Sequence, residues 1–152
     1  MPPLFENPIF CAFDTPDVDV ASKLRESLSG SIGGIKMGLE FFCSEGSKGY
    51  KEVSKAGLPI FLDMKLHDIP NTVSKAISSL LPLEPTLLTI HTQGGPQMMA
   101  AAAKAADEAV GQGFTRPKVI GVTILTSLDQ SDLSSMGVDG PVMDQVARLG
   151  AL

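Results

Sequence analysis

The 152-residue sequence has no tryptophan, one tyrosine and only two cysteines. Cys11 and Cys43 stand in no CxxC spacing, which removes a thiolate metal knuckle and a disulfide framework and leaves two reduced core thiols as the expectation. No apolar stretch approaches the ~20 residues that cross a bilayer. The opening Met1-Pro2-Pro3-Leu4-Phe5-Glu6-Asn7-Pro8 has neither the charged nor the apolar region of a secretory leader. Basic runs are missing as well: 12 Lys and Arg against 17 Asp and Glu give a net charge of −5, a balance that disfavours a nucleic-acid backbone or an anionic membrane as partner. With two histidines and no Cys/His cluster there is no metal signature. These absences together predict a cytoplasmic protein without metal, membrane or nucleic acid.

What is present is 43% hydrophobic residues, enough for a core, and no linker or low-complexity tract, so residues 1–152 read as one domain. Short apolar runs at Ile9–Phe13, Gly34–Met37, Pro59–Met64, Leu87–His91 and Lys118–Leu125 read as strands. Between them lie stretches long enough for crossover helices. Helix signals fall after Pro16 at Asp17-Val18-Asp19-Val20-Ala21, over Thr72–Leu81, and over the Ala-rich Gln97–Val110. The pattern is a βα repeat of the α/β class.

Two architectures accommodate such a repeat, and the polar residues choose between them. Asp14, Lys36, Asp63 with Lys65, His91 and Thr126 each stand at or just past the carboxyl end of a different strand, where a (β/α)8 barrel gathers its active site. A doubly wound sheet would show a Gly-rich phosphate turn after its first strand, but this strand ends Phe13-Asp14-Thr15-Pro16. The expectation is therefore a (β/α)8 TIM barrel represented by about its first five βα units, truncated within the fifth helix at Arg148-Leu149-Gly150-Ala151-Leu152.

The densest chemistry is Phe61-Leu62-Asp63-Met64-Lys65-Leu66-His67-Asp68-Ile69-Pro70-Asn71-Thr72. Residues two apart on a strand share a face, so Asp63 and Lys65 should project together. Asp68, in the turn marked by Pro70 and Asn71, can fold back towards them. A lysine held protonated by carboxylates is a proton donor of fixed position, while a carboxylate nearby repels an anionic substrate group and favours its loss. That suits decarboxylation followed by protonation. The same residues could equally form a structural ion pair, and spacing alone does not separate the readings. Lys36, on a strand between apolar residues, must find a partner or an exit. Asp14-Thr15-Pro16-Asp17, taken alone, reads as a turn and helix cap, and His67 and His91 as polar groups with satisfied contacts. Gly94-Gly95 reads as a helix start and Met98-Met99 as packing.

Asp63-Met64-Lys65-Leu66-His67-Asp68-Ile69-Pro70-Asn71-Thr72 resembles the signature Asp-x-Lys-x-x-Asp-Ile-Pro-Asn-Thr of the orotidine 5′-phosphate decarboxylase family. Phe13-Asp14, Ile35-Lys36-Met37-Gly38, His91-Thr92-Gln93-Gly94-Gly95 and Val122-Thr123-Ile124-Leu125-Thr126-Ser127 resemble further family segments in the same order. The resemblance covers about residues 8–152, corresponding to the N-terminal two thirds of a family member. It implies a TIM-barrel lyase of pyrimidine (UMP) biosynthesis that converts orotidine 5′-phosphate to uridine 5′-phosphate without a cofactor. Lys65 would be the proton donor, Asp63 would crowd the departing carboxylate, and Lys36 and Asp68 would complete an alternating charge network. Asp14 and Lys36 would hold ribose hydroxyls. Thr126 and Ser127 would meet the pyrimidine, Ile69 would contact substrate, and Asp68 and Thr72 would reach it across a homodimer interface.

The family's phosphate-gripping loops belong to later strands, so residues 1–152 alone are expected to bind nucleotide weakly, to be inactive, and to aggregate through exposed strand edges. Two alternatives stay open. One is a metal-dependent sugar-phosphate decarboxylase or synthase of the same superfamily, against which Ile69-Pro70-Asn71-Thr72 speaks; the other is a non-catalytic fragment.

Overall fold

A computed structural model describes residues 5–152; the first four residues lie outside the described residues. Five strands, β1 (Phe10–Ala12), β2 (Gly34–Gly38), β3 (Ile60–Leu66), β4 (Leu87–His91) and β5 (Lys118–Val122), pair in parallel in the order 1-2-3-4-5. Strand order that follows chain order has no switch point, which separates a barrel from the doubly wound alternative. Helices α1 (Val18–Ser27), α2 (Leu39–Ser54), α3 (Pro70–Leu80) and α4 (Gly95–Asp107) fill the crossovers, and α5 (Gln130–Ser135) and α6 (Val142–Gly150) follow β5.

Period-2 alternation divides the strand residues between two faces. Ile35, Met37, Leu62, Leu88 and Ile90 are buried with Phe41, Tyr50 and Val53 of α2, Val73 and Ile77 of α3, and Met98 and Ala102 of α4. Each large side chain so buried contributes roughly 1.5–3 kcal/mol. The alternate residues, Phe10, Lys36, Phe61, Asp63, Leu87, Thr89 and His91, occupy the other face. Its amino end is closed by aromatic rings: Phe10 packs edge-on against Phe5 at 5.0 Å and against Phe61 at 6.3 Å. Gly34 makes room for this stack, since a Cβ there would collide with the Phe10 ring. The carboxyl end of the same face is polar.

Helix entries follow local chemistry. Asp17 caps α1 by accepting from the Asp19 and Val20 amides at 2.8 and 3.1 Å. Pro70 opens α3 at a position where its missing N–H costs nothing. Several sequence expectations need correction. β1 is shorter than Ile9–Phe13, with Ile9 more than half exposed. β5 stops at Val122, so Thr123–Leu125 are not strand. Beyond it stand two helices rather than one. Cys43 is exposed on α2 and is no core thiol, whereas Cys11 is half-buried.

Candidate active site

The carboxyl ends of β1, β2 and β3 bring four charges into one chain of contacts. Lys36 Nζ lies 3.2 Å from Asp14 Oδ1 and 3.8 Å from Asp63 Oδ2, and Lys65 Nζ donates to the same Asp63 Oδ2 at 2.8 Å. Signs alternate along it: Asp14, Lys36, Asp63, Lys65. Register explains how strands of different length reach one another. Ala12 pairs with Lys36 and Gly38 with Asp63. Gly38 has no side chain, and a Cβ there would sit 3.7 Å from both Asp14 Oδ1 and Lys36 Nζ, so the pair lies directly over the glycine.

Lys65 is held in the left-handed region, φ 48°, which a side chain with a Cβ adopts only at a cost. The cause is a disruption of the β3–β4 ladder: Leu62 pairs with Leu88, but the next pair is Leu66 with Ile90. Two residues more are spent on β3 than on β4, and the strand bulges over Asp63–Lys65. Thr89, buried on β4, fills the gap. Its Oγ1 accepts from the Lys65 amide at 2.9 Å and donates to Asp63 Oδ1 at 2.9 Å.

Burial by itself pushes the Asp63 carboxyl up, but hydrogen bonds from Lys65 and Thr89 and the charges of Lys65 and Lys36 outweigh it and hold the group below the ordinary carboxylate value. The site at neutral pH therefore contains an ionised, desolvated carboxylate pressed against two cations. Such a pair is stable only while both partners are present.

The remaining sequence candidates are placed differently. Asp68 does not fold back. Its carboxylate accepts from the adjacent Ile69 amide at 2.7 Å, and it makes no ion pair with a lysine among the described residues. Ile69, before Pro70, is extended (φ −59°, ψ 152°), and Asp68 ahead of it is exposed. Ile69, two thirds exposed, and Thr72 on the first turn of α3 share this exposure. Thr126 and Ser127 are exposed in the segment after β5. The segment Asp14–Asp17 does cap α1, through Asp17, while Asp14 itself pairs with Lys36. Thr89 was not singled out by the sequence reading; its one signal is a hydroxyl in the otherwise apolar Leu87-Leu88-Thr89-Ile90.

The histidines also differ from expectation. His67 and His91 pack ring to ring at 5.4 Å, and the buried Nδ1 of His91 has no hydrogen-bond partner among the described residues. Burial, then the His67 and Lys65 charges, push the His91 imidazole below its ordinary value, with Asp63 opposing. His91 is accordingly neutral at pH 7. Following its C2–H by NMR against pH should give a midpoint below that of free imidazole. Lys65→Met should move the midpoint up, because a cation beside the ring has gone; an unmoved midpoint would show that the ammonium does not reach it.

Comparison with known proteins bears on family and fold. The family model described as Orotidine 5′-phosphate decarboxylase / HUMPS family matches residues 7–152. A protein named orotidine 5′-phosphate decarboxylase from Rhodospirillum rubrum is 53% identical, the match covering 100% of this chain and 62% of that protein. One of the same name from Novosphingobium aromaticivorans is 52% identical over 96% of this chain and 62% of its own length. The chain thus spans about 62% of the length of these curated relatives. Among solved structures, orotidine 5′-phosphate decarboxylase from Lactobacillus acidophilus superposes with a TM-score of 0.86 at 32% identity, covering 95% of this chain and 65% of that one. An uncharacterized conserved protein from Geobacillus kaustophilus gives a TM-score of 0.88 at 34% identity, covering 95% and 67%. Five parallel βα units in barrel order, the charge chain at their carboxyl ends and these matches lead to one conclusion: the chain belongs to the orotidine 5′-phosphate decarboxylase / HUMPS family.

Proposed function

We propose that these residues carry the reacting half of an orotidine 5′-phosphate decarboxylase site, making uridine 5′-phosphate for pyrimidine biosynthesis. The observation that supports this most is the alternating chain Asp14, Lys36, Asp63, Lys65 at the strand ends. Asp63, ionised and buried at the strand ends, faces the substrate carboxylate and raises its energy. The C–C bond to that carboxylate breaks, carbon dioxide leaves, and the electron pair stays on the ring carbon. Lys65 Nζ then gives that carbon a proton and regains one from solvent. Asp14 and Lys36 hold ribose hydroxyls, and Thr126 and Ser127 meet the pyrimidine. The reaction so written calls on side chains alone, with no cofactor.

Ile69 contacts substrate, and Asp68 and Thr72 serve the neighbouring subunit of a homodimer. Their exposure at the start of α3, and the lack of an ion pair between Asp68 and Lys65 among the described residues, support this reading. For residues 1–152 by themselves the proposal is weak nucleotide binding and little turnover, because β1 and β5 each have one strand neighbour among the described residues and the polar face lies open between them.

The test is carbon dioxide release from orotidine 5′-phosphate by the full-length protein, with and without a divalent-metal chelator. Release unaffected by chelator is the expected result. Turnover of a sugar phosphate that chelator abolishes, with none of the nucleotide, would replace the proposal by the metal-dependent reading. No turnover of either would leave a non-catalytic chain.

A further inference from the structure

The one buried hydroxyl at the charge chain does two jobs at once. Thr89 is 2% exposed on β4, opposite the bulge in β3. A threonine hydroxyl has one proton to give and lone pairs to receive. Here the proton goes to Asp63 Oδ1 and a lone pair takes the Lys65 amide, both at 2.9 Å. Because Thr89 occupies Oδ1, both lysines meet the other oxygen, Oδ2. The bulge removes the ladder partner that the Lys65 N–H would otherwise have, and the hydroxyl stands in for it.

We infer that Thr89 is a positioning residue: it splits the two oxygens of Asp63 between a fixed anchor and the ammonium groups, and pins the left-handed backbone of Lys65 so that Nζ stays over Oδ2. The inference rests on the decarboxylase reading of the Asp63–Lys65 pair. Thr89 touches no reacting atom in that scheme. Its effect passes through two groups that do, and a misplacement of about 1 Å at such a site costs on the order of 10²-fold in rate.

Thr89→Val keeps the shape and loses both hydrogen bonds, whereas Thr89→Ser keeps the hydroxyl. In full-length protein, Thr89→Val should lower kcat about 10²-fold with KM within about threefold, and Thr89→Ser should stay within about fivefold of the parent. The acid limb of the rate profile should also move. The Thr89 O–H favours the charged form of Asp63, so its loss raises the Asp63 pKa and activity is lost at a higher pH on acidification. A role confined to packing would move neither the acid limb nor the Ser-against-Val difference. Should Thr89→Val fail to fold, Thr89→Ala takes its place, with the same ordering expected against Thr89→Ser.

Lys65→Ala is measured alongside. Decarboxylation surviving in Lys65→Ala would overturn the reading of the site itself. Loss in Lys65→Ala with Thr89→Val as active as the parent, or with Ser and Val or Ala equally impaired, would leave that reading standing and overturn the positioning role.

Discussion

Lys65→Ala in the full-length protein should lower kcat for orotidine 5′-phosphate by roughly 10⁴-fold or more while the protein stays folded. Two effects are lost together. A positioned general acid contributes about 10²–10⁴-fold, and a cation aimed at charge developing in a desolvated site contributes about 10²–10³-fold. No neighbour can substitute: Lys36 is committed to Asp14 and lies 3.8 Å from Asp63 Oδ2, and His91 is neutral. The fold should survive because Asp63 keeps the Thr89 hydroxyl and the Lys36 charge. The carboxylate should nevertheless titrate higher once its closest cation is gone. Its depressed pKa in the parent contributes stability that is present above the unfolded-state value and lost as pH falls through the folded-state value. In Lys65→Ala that loss should begin at higher pH, visible as an acid-denaturation midpoint displaced upward. A variant turning over near the parental rate would remove Lys65 from the chemistry.

The pairing of Lys65 with Asp63 could be read from spacing, because period-2 alternation is a local property of any strand. The short apolar run Leu87–His91 likewise matches β4 to the residue. What spacing could not give is the bulge. It depends on the register between β3 and β4 and on a hydroxyl from Thr89, 24 residues from the amide it receives. Tertiary pairing of this kind leaves no periodic trace. β5 was overextended for the opposite reason: Val119-Ile120-Gly121-Val122-Thr123-Ile124-Leu125 is continuous in composition, and only the loss of pairing after Val122 ends the strand. α2 drew no specific helix signal. Gly46 interrupts it at φ 58°, ψ −156°, so its residues form two short helical runs rather than one long periodic face.

Asp68 shows how far a local rule carries before geometry overrides it. A turn at Pro70 and Asn71 was expected to return the chain, but proline restricts the residue before it to extended conformations, and Ile69 obeys. The carboxylate that completes an alternating network by resemblance is therefore left exposed and without a lysine partner among the described residues, beside an exposed isoleucine. The homodimer proposed above would resolve this, since in an isologous dimer a residue missing from one site can be supplied by the partner and returned in kind.

That reciprocity predicts a complementation result. Lys65→Ala and Asp68→Ala proteins should each be nearly inactive alone as homodimers. In a mixed dimer, one site combines both defects, while the other takes Lys65 from the Asp68→Ala subunit and Asp68 from the Lys65→Ala subunit and is wholly native. Random reassortment of equal amounts makes about half the dimers mixed, with one good site in two, so activity should rise to about a quarter of the parental level. The rise should follow subunit exchange in time, and Asp68→Ala mixed with parental protein provides the control for exchange itself. Mixed dimers verified by native mass spectrometry that stay inactive would show that Asp68 acts within its own subunit, through a movement of the segment before Pro70 that brings it to Lys65.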